Sequence, residues 1–509
     1  MPTGSRVIRN ALFMYGKIAI NAICLLLSTR YVLLALGVED FGLYNLIGSV
    51  VLLFSFVNSS MTEATQRFLS FAHGKEDNTN VRQVFNSSIL IHCSIAIAIS
   101  AIFICLLPIL YSDFVSIPQS RESACTCVYL LSIFCMVLSI CNVPYNACII
   151  AHEQMFYYAV IGSLSGILKL LFALALFHTS GDKLIWYAVF TALISLIEFT
   201  ACRFYCKRNY DECSIDINLI DKKIIKEMFS FAGWQFAYSA SSIISIQGVS
   251  LILNSFYGAI MNAAQGVAKQ VCGQLMTFSS TLSVALNPAL VKKAGANQLD
   301  SMLTAALSGC KLTYLLLVVF ALPVLFELEY LLNLWLDEVP NYSYSFCLFE
   351  VLQQIIASLT LPLVTIIGGM GKIKGMQLFS SLTYICRIPI IYLAFILGGS
   401  PIYAYYITTS CVICLVVGRI FFAHRECGLS ISLYIKQVAF PCISISAIVG
   451  IFLSLYTSYF PSSLYRLIGS CSISFISLSV FSYYLVLNKI EKSLILDIFN
   501  RFKLKNHKS

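Results

Sequence analysis

Charge is what this chain has least of. Lys, Arg, Asp and Glu supply 11% of its 509 residues, against about 25% in soluble globular proteins. The mean hydropathy is +0.83. One soluble core is excluded, because runs of 18 or more apolar residues recur along the chain and read as membrane spans. No cleavable signal peptide is expected either: Arg6 and Arg9 precede a long apolar run from Ala11 to Gly37 with no small-residue cleavage pattern, which reads as a first permanent span. No loop is long enough to be a soluble domain, the longest being Cys206 to Lys226. No ATPase motif is present either. "GGMGK" at Gly368–Lys372 has Ile366 where the first Walker glycine belongs and Ile373 where Ser or Thr belongs. Cysteine is plentiful at 20 residues but scattered through apolar segments, where it behaves as a small soft hydrophobe. Cys411 and Cys414 have C-x-x-C spacing without a second ligand pair. Neither a disulfide framework nor a metal site is expected.

What is present is an all-α integral membrane protein. Apolar runs and polar breaks give about fourteen spans: 11–36, 41–66, 86–111, 124–150, 155–178, 183–206, 228–256, 261–288, 301–326, 343–369, 375–397, 401–423, 434–457 and 464–487. Basic residues gather in alternate loops, as at Arg203, Lys207, Arg208, Lys222, Lys223, Lys226, Lys292 and Lys293. They gather also in the tail that carries Arg501, Lys503, Lys505 and Lys508. Acids such as Glu39, Asp40, Glu327, Glu329, Asp337 and Glu338 gather on the other side, beside Arg121, Lys183 and Arg466. By the positive-inside rule both termini are cytoplasmic, and the net charge of +9 is mostly a topology signal, not a nucleic-acid footprint.

An internal repeat divides the chain. "LALGVEDFGLYNLIGSVV" from Leu34 and "LILNSFYGAIMNAAQGVAKQV" from Leu251 share a cadence, with Gly48 and Gly266 in the helices they start. Each is expected to finish in a Ser-rich turn, at Ser59-Ser60 and Ser279-Ser280. The expected organisation is a six-helix bundle (1–210), a cytoplasmic linker (211–226), a second six-helix bundle (227–428), two further spans (429–488) and a basic cytoplasmic tail (489–509).

Polar residues recur at helical spacing inside the spans. Asn10, Lys17, Asn21 and Ser28 keep one face of the first. Asn58, Glu63 and Arg67 end the second; at 1.5 Å per residue Glu63 lies roughly 33 Å from Phe41, at the edge of a ~30 Å hydrocarbon core. Gln235, Tyr238 and Ser245 share a face of the seventh span, Asn262, Gln265 and Lys269 one of the eighth, and Glu350, Gln354 and Ser358 one of the tenth. Lys169, Glu198, Lys311 and Arg387 lie within other spans, Lys169 and Glu198 reading equally as a structural pair. Five or six such charges facing lipid would cost more than roughly 10 kcal/mol. Lys17, Lys269 and Arg387 are therefore read as lining a wet cavity, with Arg30 and Lys311 snorkelling towards the interfaces. Cations outnumber acids, so the cargo is expected to be anionic, with the Ser, Asn, Gln and Tyr groups suited to sugar hydroxyls. "GSLSG" at Gly162–Gly166 reads as a small-xxx-small packing motif. Pro144, Pro288, Pro323, Pro362, Pro389 and Pro441 are expected to bend helices.

The segments "RYVLLALGVEDFGLYNLIGSVV", "ATQRFLSFAHGKED", "VPYNACIIAHEQMFYYA" and "SFYGAIMNAAQGVAKQV…ALNPALVKKA" carry a resemblance over nearly the whole chain. The sequence resembles the MOP exporter superfamily (MATE-like), and within it the polysaccharide-transport, or O-antigen repeat-unit flippase, branch of bacterial glycan clusters. The resemblance implies two six-helix bundles working by alternating access, with the last two helices offering a groove to a lipid tail. It implies transport of undecaprenyl-pyrophosphate-linked oligosaccharide from the cytoplasmic to the periplasmic leaflet of the inner membrane, not enzymatic catalysis. Expected partners are that lipid-linked oligosaccharide, membrane lipid, a glycan polymerase and other polysaccharide-assembly proteins. Multidrug members often carry an acid in the first span for cation coupling, and this chain has none there. No cofactor is expected, and Na+ or H+ coupling is left unassigned. Two rivals stand beside this reading. A cation-coupled multidrug exporter shares the fold but predicts acidic ion ligands. A membrane-embedded glycan polymerase or ligase predicts a large periplasmic loop.

Overall fold

In a bilayer every backbone N–H and C=O must be paired within its own segment, so apolar runs of this length become helices. The computed structural model describes residues 3–52, 55–108, 118–336, 338–488 and 491–492, and no strand occurs among them. Among the described residues eleven helices are long and apolar enough to cross a membrane, or twelve if one bent pair counts as a single span. Of the fourteen expected spans, 41–66 and 261–288 are not among these. The first falls across the end of one helix and the start of the next, with residues 53–54 outside the described set. The second lies in a 37-residue helix whose Asn262, Gln265, Lys269, Gln270 and Gln274 dilute its hydropathy. The chain is a multi-pass membrane protein.

Two compact units are distinguished, one covering Arg9–Phe236 and the other Ala237–Ser509 together with the first eight residues. The first contains α1 (Thr3–Leu52) from Arg9 onward, broken at Gly37, then α2 (Ser55–Gly74), α3 (Asn78–Leu106), α4 (Glu122–Ala151), α5 (Met155–Ala175), α6 (Lys183–Asn209) and the start of α7 (Lys222–Tyr257). α4 is its hub, packing on α2, α3, α5 and α6. Asp77 caps α3 by accepting from the backbone N–H groups of Thr79 and Asn80, each at 3.1 Å. Arg121, expected on the acid-rich side, is clasped between Asp40 and Asp182, the latter at 2.7 Å. The polar run at the end of the second span is continuous helix through Ser59-Ser60, not a turn.

The second unit holds the rest of α7, then α8 (Ala259–Gly295), α9 (Leu299–Phe326), α10 (Leu328–Trp335), α11 (Ser343–Ser358), α12 (Leu361–Gly369), α13 (Lys374–Ile396), α14 (Tyr403–Cys427), α15 (Ile431–Tyr434), α16 (Phe440–Tyr459) and α17 (Leu464–Phe481). α8 runs unbroken past Ser279-Ser280, so that expected turn is also helical. The tenth span is the bent pair α11 and α12, joined at 43°. Pro144, Pro288, Pro323 and Pro389 lie inside helices, Pro362 occupies a first turn, where a missing N–H costs nothing, and Pro441 follows the π-helical turn Ile435–Ala439 within the continuous helical span Ile431–Tyr459. The short α10 was not anticipated from the sequence.

The last two helices pack on α9 and on each other. Buried Glu327 accepts from Arg466 Nη2 at 2.7 Å and from Ser470 Oγ at 2.6 Å. Tyr314 Oη donates to Ser446 Oγ at 2.9 Å. Lys311 does not snorkel to an interface: it is 3% exposed, with its Nζ 3.1 Å from Glu491 Oε2. An acid that lies beyond the last span, and so outside any pattern read within spans, supplies the partner that permits this burial.

Candidate functional site

In the first unit, the stripe on α1 divides by depth. Asn10 is buried and donates to the Glu153 carbonyl at 3.0 Å, a structural use. Lys17 and Asn21 instead line a cavity of about 270 Å³, with Ser165 and Lys169 of α5 and Glu198 of α6. Glu198 Oε2 accepts from Ser165 Oγ at 3.0 Å. The Lys17 ammonium stands 4.0 Å from the centroid of the Tyr158 ring, a cation–π contact. The Asn21 side-chain oxygen is buried without a hydrogen-bond partner. Lys169 and Glu198, read as a cavity pair or a structural pair, thus share the cavity wall.

Gly162 and Gly166 make this approach of helices feasible. A Cβ on Gly162 would collide with Cε of Lys17, and one on Gly166 with the Asn21 side chain. The small-xxx-small motif is therefore a packing element whose packing partners are the cavity residues themselves. Ser165, between the two glycines, was not singled out from the sequence; its place inside that motif was the available signal.

The other cluster of this unit surrounds α2. Arg67 lies against three aromatic rings, at 4.5 Å from Phe68, 4.8 Å from Phe71 and 5.6 Å from Phe231. Glu63 is hydrogen-bonded to the side chain of buried Gln235 on α7. The side chain of Asn58 lies outside the described residues. Arg30 is exposed and is not among the residues lining the cavity.

The second unit gathers a different set. Arg387 on α13 is buried, and its Nε donates to Ser245 Oγ of α7 at 2.9 Å. Ser245 in turn donates to the Tyr384 carbonyl at 2.6 Å. Lys269 of α8, Glu350 of α11 and Arg387 lie within electrostatic reach of one another. Two cations therefore share one acid, which leaves an excess of positive charge. Tyr238 packs its ring 5.8 Å from that of Tyr384. Buried Gln265 contributes from α8 and Gln354 from α11, the latter hydrogen-bonded to Cys272. The three residues Lys269, Glu350 and Arg387, spread over 118 positions of sequence (387 − 269), are thus brought together by the fold.

Solved structures share this architecture. A MATE transporter in the straight conformation aligns with a TM-score of 0.67 at 14% identity, covering 83% of this chain and 94% of its own. A MOP-superfamily transporter from Pyrococcus furiosus, described as having a binding pocket of reverse polarity, aligns with a TM-score of 0.64 at 14% identity, covering 85% and 97%. Among curated proteins, the uncharacterized membrane protein EpsK of Bacillus subtilis (strain 168) is 22% identical over 295 residues, and the match spans 57% of each chain. The family model for polysaccharide biosynthesis proteins matches residues 7–294. With a MATE-like fold and a match over more than half its length, this chain belongs to the polysaccharide biosynthesis protein family.

Proposed function

We propose that the chain is a flippase that carries an undecaprenyl-pyrophosphate-linked oligosaccharide from the cytoplasmic to the periplasmic leaflet of the bacterial inner membrane by alternating access. Its termini are cytoplasmic, as the distribution of Lys and Arg argues. The observation that carries this reading is the cavity holding Lys17 and Lys169 beside Asn21 and Ser165 among apolar helices. Lysine is a compact point charge suited to phosphate, and the amide and hydroxyl suit a sugar. The Lys269–Arg387 excess in the second unit adds a further attraction for an anion. The test is accumulation of lipid-linked oligosaccharide in the inner leaflet of cells whose only flippase is Lys17→Ala or Arg387→Ala, with protein level followed in parallel. Accumulation without loss of protein supports the reading. Equal loss of protein and activity assigns these residues to folding.

Cation-coupled drug export is the second reading, and Glu198 in the cavity wall is the observation that favours it. It requires export of a hydrophobic cation driven by a Na+ or H+ gradient, lost in Glu198→Gln. Partners among polysaccharide-assembly proteins follow only from the first reading.

A further inference from the structure

Six metal-ligating side chains converge at one end of the first unit, and transport makes no use of them. Cys148 lies in the last turn of α4, Cys206 in the last turn of α6, and Cys213 in the one-turn 3-10 helix Asp211–Cys213 that follows. All three are buried, and their sulfurs lie within 4.8 Å of one another. Cys148 Sγ is 3.6 Å from Cys213 Sγ. Beside them, Glu212 Oε1 is 2.5 Å from His152 Nε2 and 3.5 Å from His73 Nε2. Cys148 joins the two groups, its Sγ standing 3.7 Å from Glu212 Oε1.

The Cys148–Cys213 and Cys148–Glu212 distances match the edges of a metal polyhedron. Zinc–thiolate bonds of about 2.3 Å and zinc–carboxylate bonds of about 2.0–2.2 Å imply tetrahedral edges of roughly 3.8 Å between sulfurs and roughly 3.5 Å between sulfur and oxygen. A disulfide would need the sulfurs at about 2.05 Å. The backbone is fixed independently of any ion. Asn86 of α3 donates to the Ser214 carbonyl at 3.2 Å and accepts from Asp216 N–H at 2.8 Å, holding the loop that carries Glu212 and Cys213. Tyr210 stacks on the His152 ring at 3.8 Å and holds that imidazole in place.

The geometry points to a structural Zn2+ site held by the thiolates of Cys148, Cys206 and Cys213, with the Glu212 carboxylate, 3.7 Å from the Cys148 sulfur, beside the fourth position. His152 and His73 hold that carboxylate through the same oxygen, Oε1, as outer partners do in metal sites. Soft thiolates in a tetrahedral set select zinc over magnesium or calcium. Binding displaces the three thiol protons to solvent. The ion staples the α6–α7 loop to the ends of α4 and α6. No spacing in the sequence announces it: Cys206 and Cys213 are seven apart, and Cys148 comes from another helix.

The test uses the full chain, purified in detergent without chelator, incubated with zinc and desalted. Metal content by mass spectrometry is expected near one zinc per chain. Cys148→Ser and Cys213→Ser should each fall below about a tenth of that. His152→Ala should keep zinc but bind it about 10–100-fold more weakly in chelator competition. Because a serine variant could misfold, Co2+ is loaded into the wild type, which should develop the visible bands of a tetrahedral thiolate site. Wild type without zinc after loading, no cobalt bands, full zinc in Cys148→Ser, or a Cys148–Cys213 disulfide in alkylated lysate would each overturn the site.

Discussion

Gly37 and Gly258 hold the same backbone conformation, φ +79° in both, with ψ at 171° and −176°. They are 221 residues apart (258 − 37); Gly37 closes the span Arg9–Gly37 and Gly258 follows the span Lys222–Tyr257. The residue pairs of the sequence repeat stand at similar offsets, 217 for Leu34 and Leu251 (251 − 34) and 218 for Gly48 and Gly266 (266 − 48), so the likeness extends to the dihedral angles of this turn. Positive φ with ψ near 180° is open essentially to glycine alone.

Gly37→Ala and Gly258→Ala should therefore each destabilise by about 1–3 kcal/mol. A Cβ would meet nothing within 4 Å at either position, so the cost is backbone strain and not a clash. Thermal unfolding in detergent reads it. Wild-type stability in both variants would contradict the strain argument.

Lys311 and Glu491 form a buried ion pair, 3% and 9% exposed at their side chains. Removing one partner strands a charge, so Lys311→Ala should cost about 3–5 kcal/mol. Replacing both with apolar residues, Lys311→Met with Glu491→Leu, should recover most of that stability, because the desolvation of both charges is removed as well. A double variant as unstable as the single one would count against the pair.

Gly166→Leu should push its side chain into the space of Asn21 and close the cavity beside Lys17. Transport should fall while the protein still reaches the membrane. Gly233→Leu is the control, since a Cβ there meets nothing within 4 Å. Equal effects of the two would remove the cavity from the mechanism.

Arg387→Lys keeps the charge but loses the Nε donor to Ser245. It should impair transport less than Arg387→Ala if charge is what matters, and equally if the guanidinium geometry does. Flux assays on both variants, with Lys269→Ala alongside, separate the two cases.

Local chemistry alone was enough for much of this molecule. The scarcity of charge required a bilayer, and the bilayer required helices, because unpaired backbone groups are too costly in lipid. The internal repeat was legible in a shared cadence at Leu34 and Leu251, with Gly48 and Gly266 in the helices they start; the matching dihedrals of Gly37 and Gly258 came from the structure. The polar stripe Lys17–Asn21 was legible because helical neighbours recur every three to four residues.

Tertiary structure decided which members of each stripe share a site. Asn10 and Lys17 share a face by periodicity, yet one is tied to a backbone carbonyl and the other lines a cavity. Lys311 looked like a residue reaching for the interface until Glu491, 180 residues onward (491 − 311), proved to be its partner. The Cys148, Cys206 and Cys213 cluster was invisible for the same reason: two helix ends and a loop meet there through packing, and packing carries no periodicity along the chain.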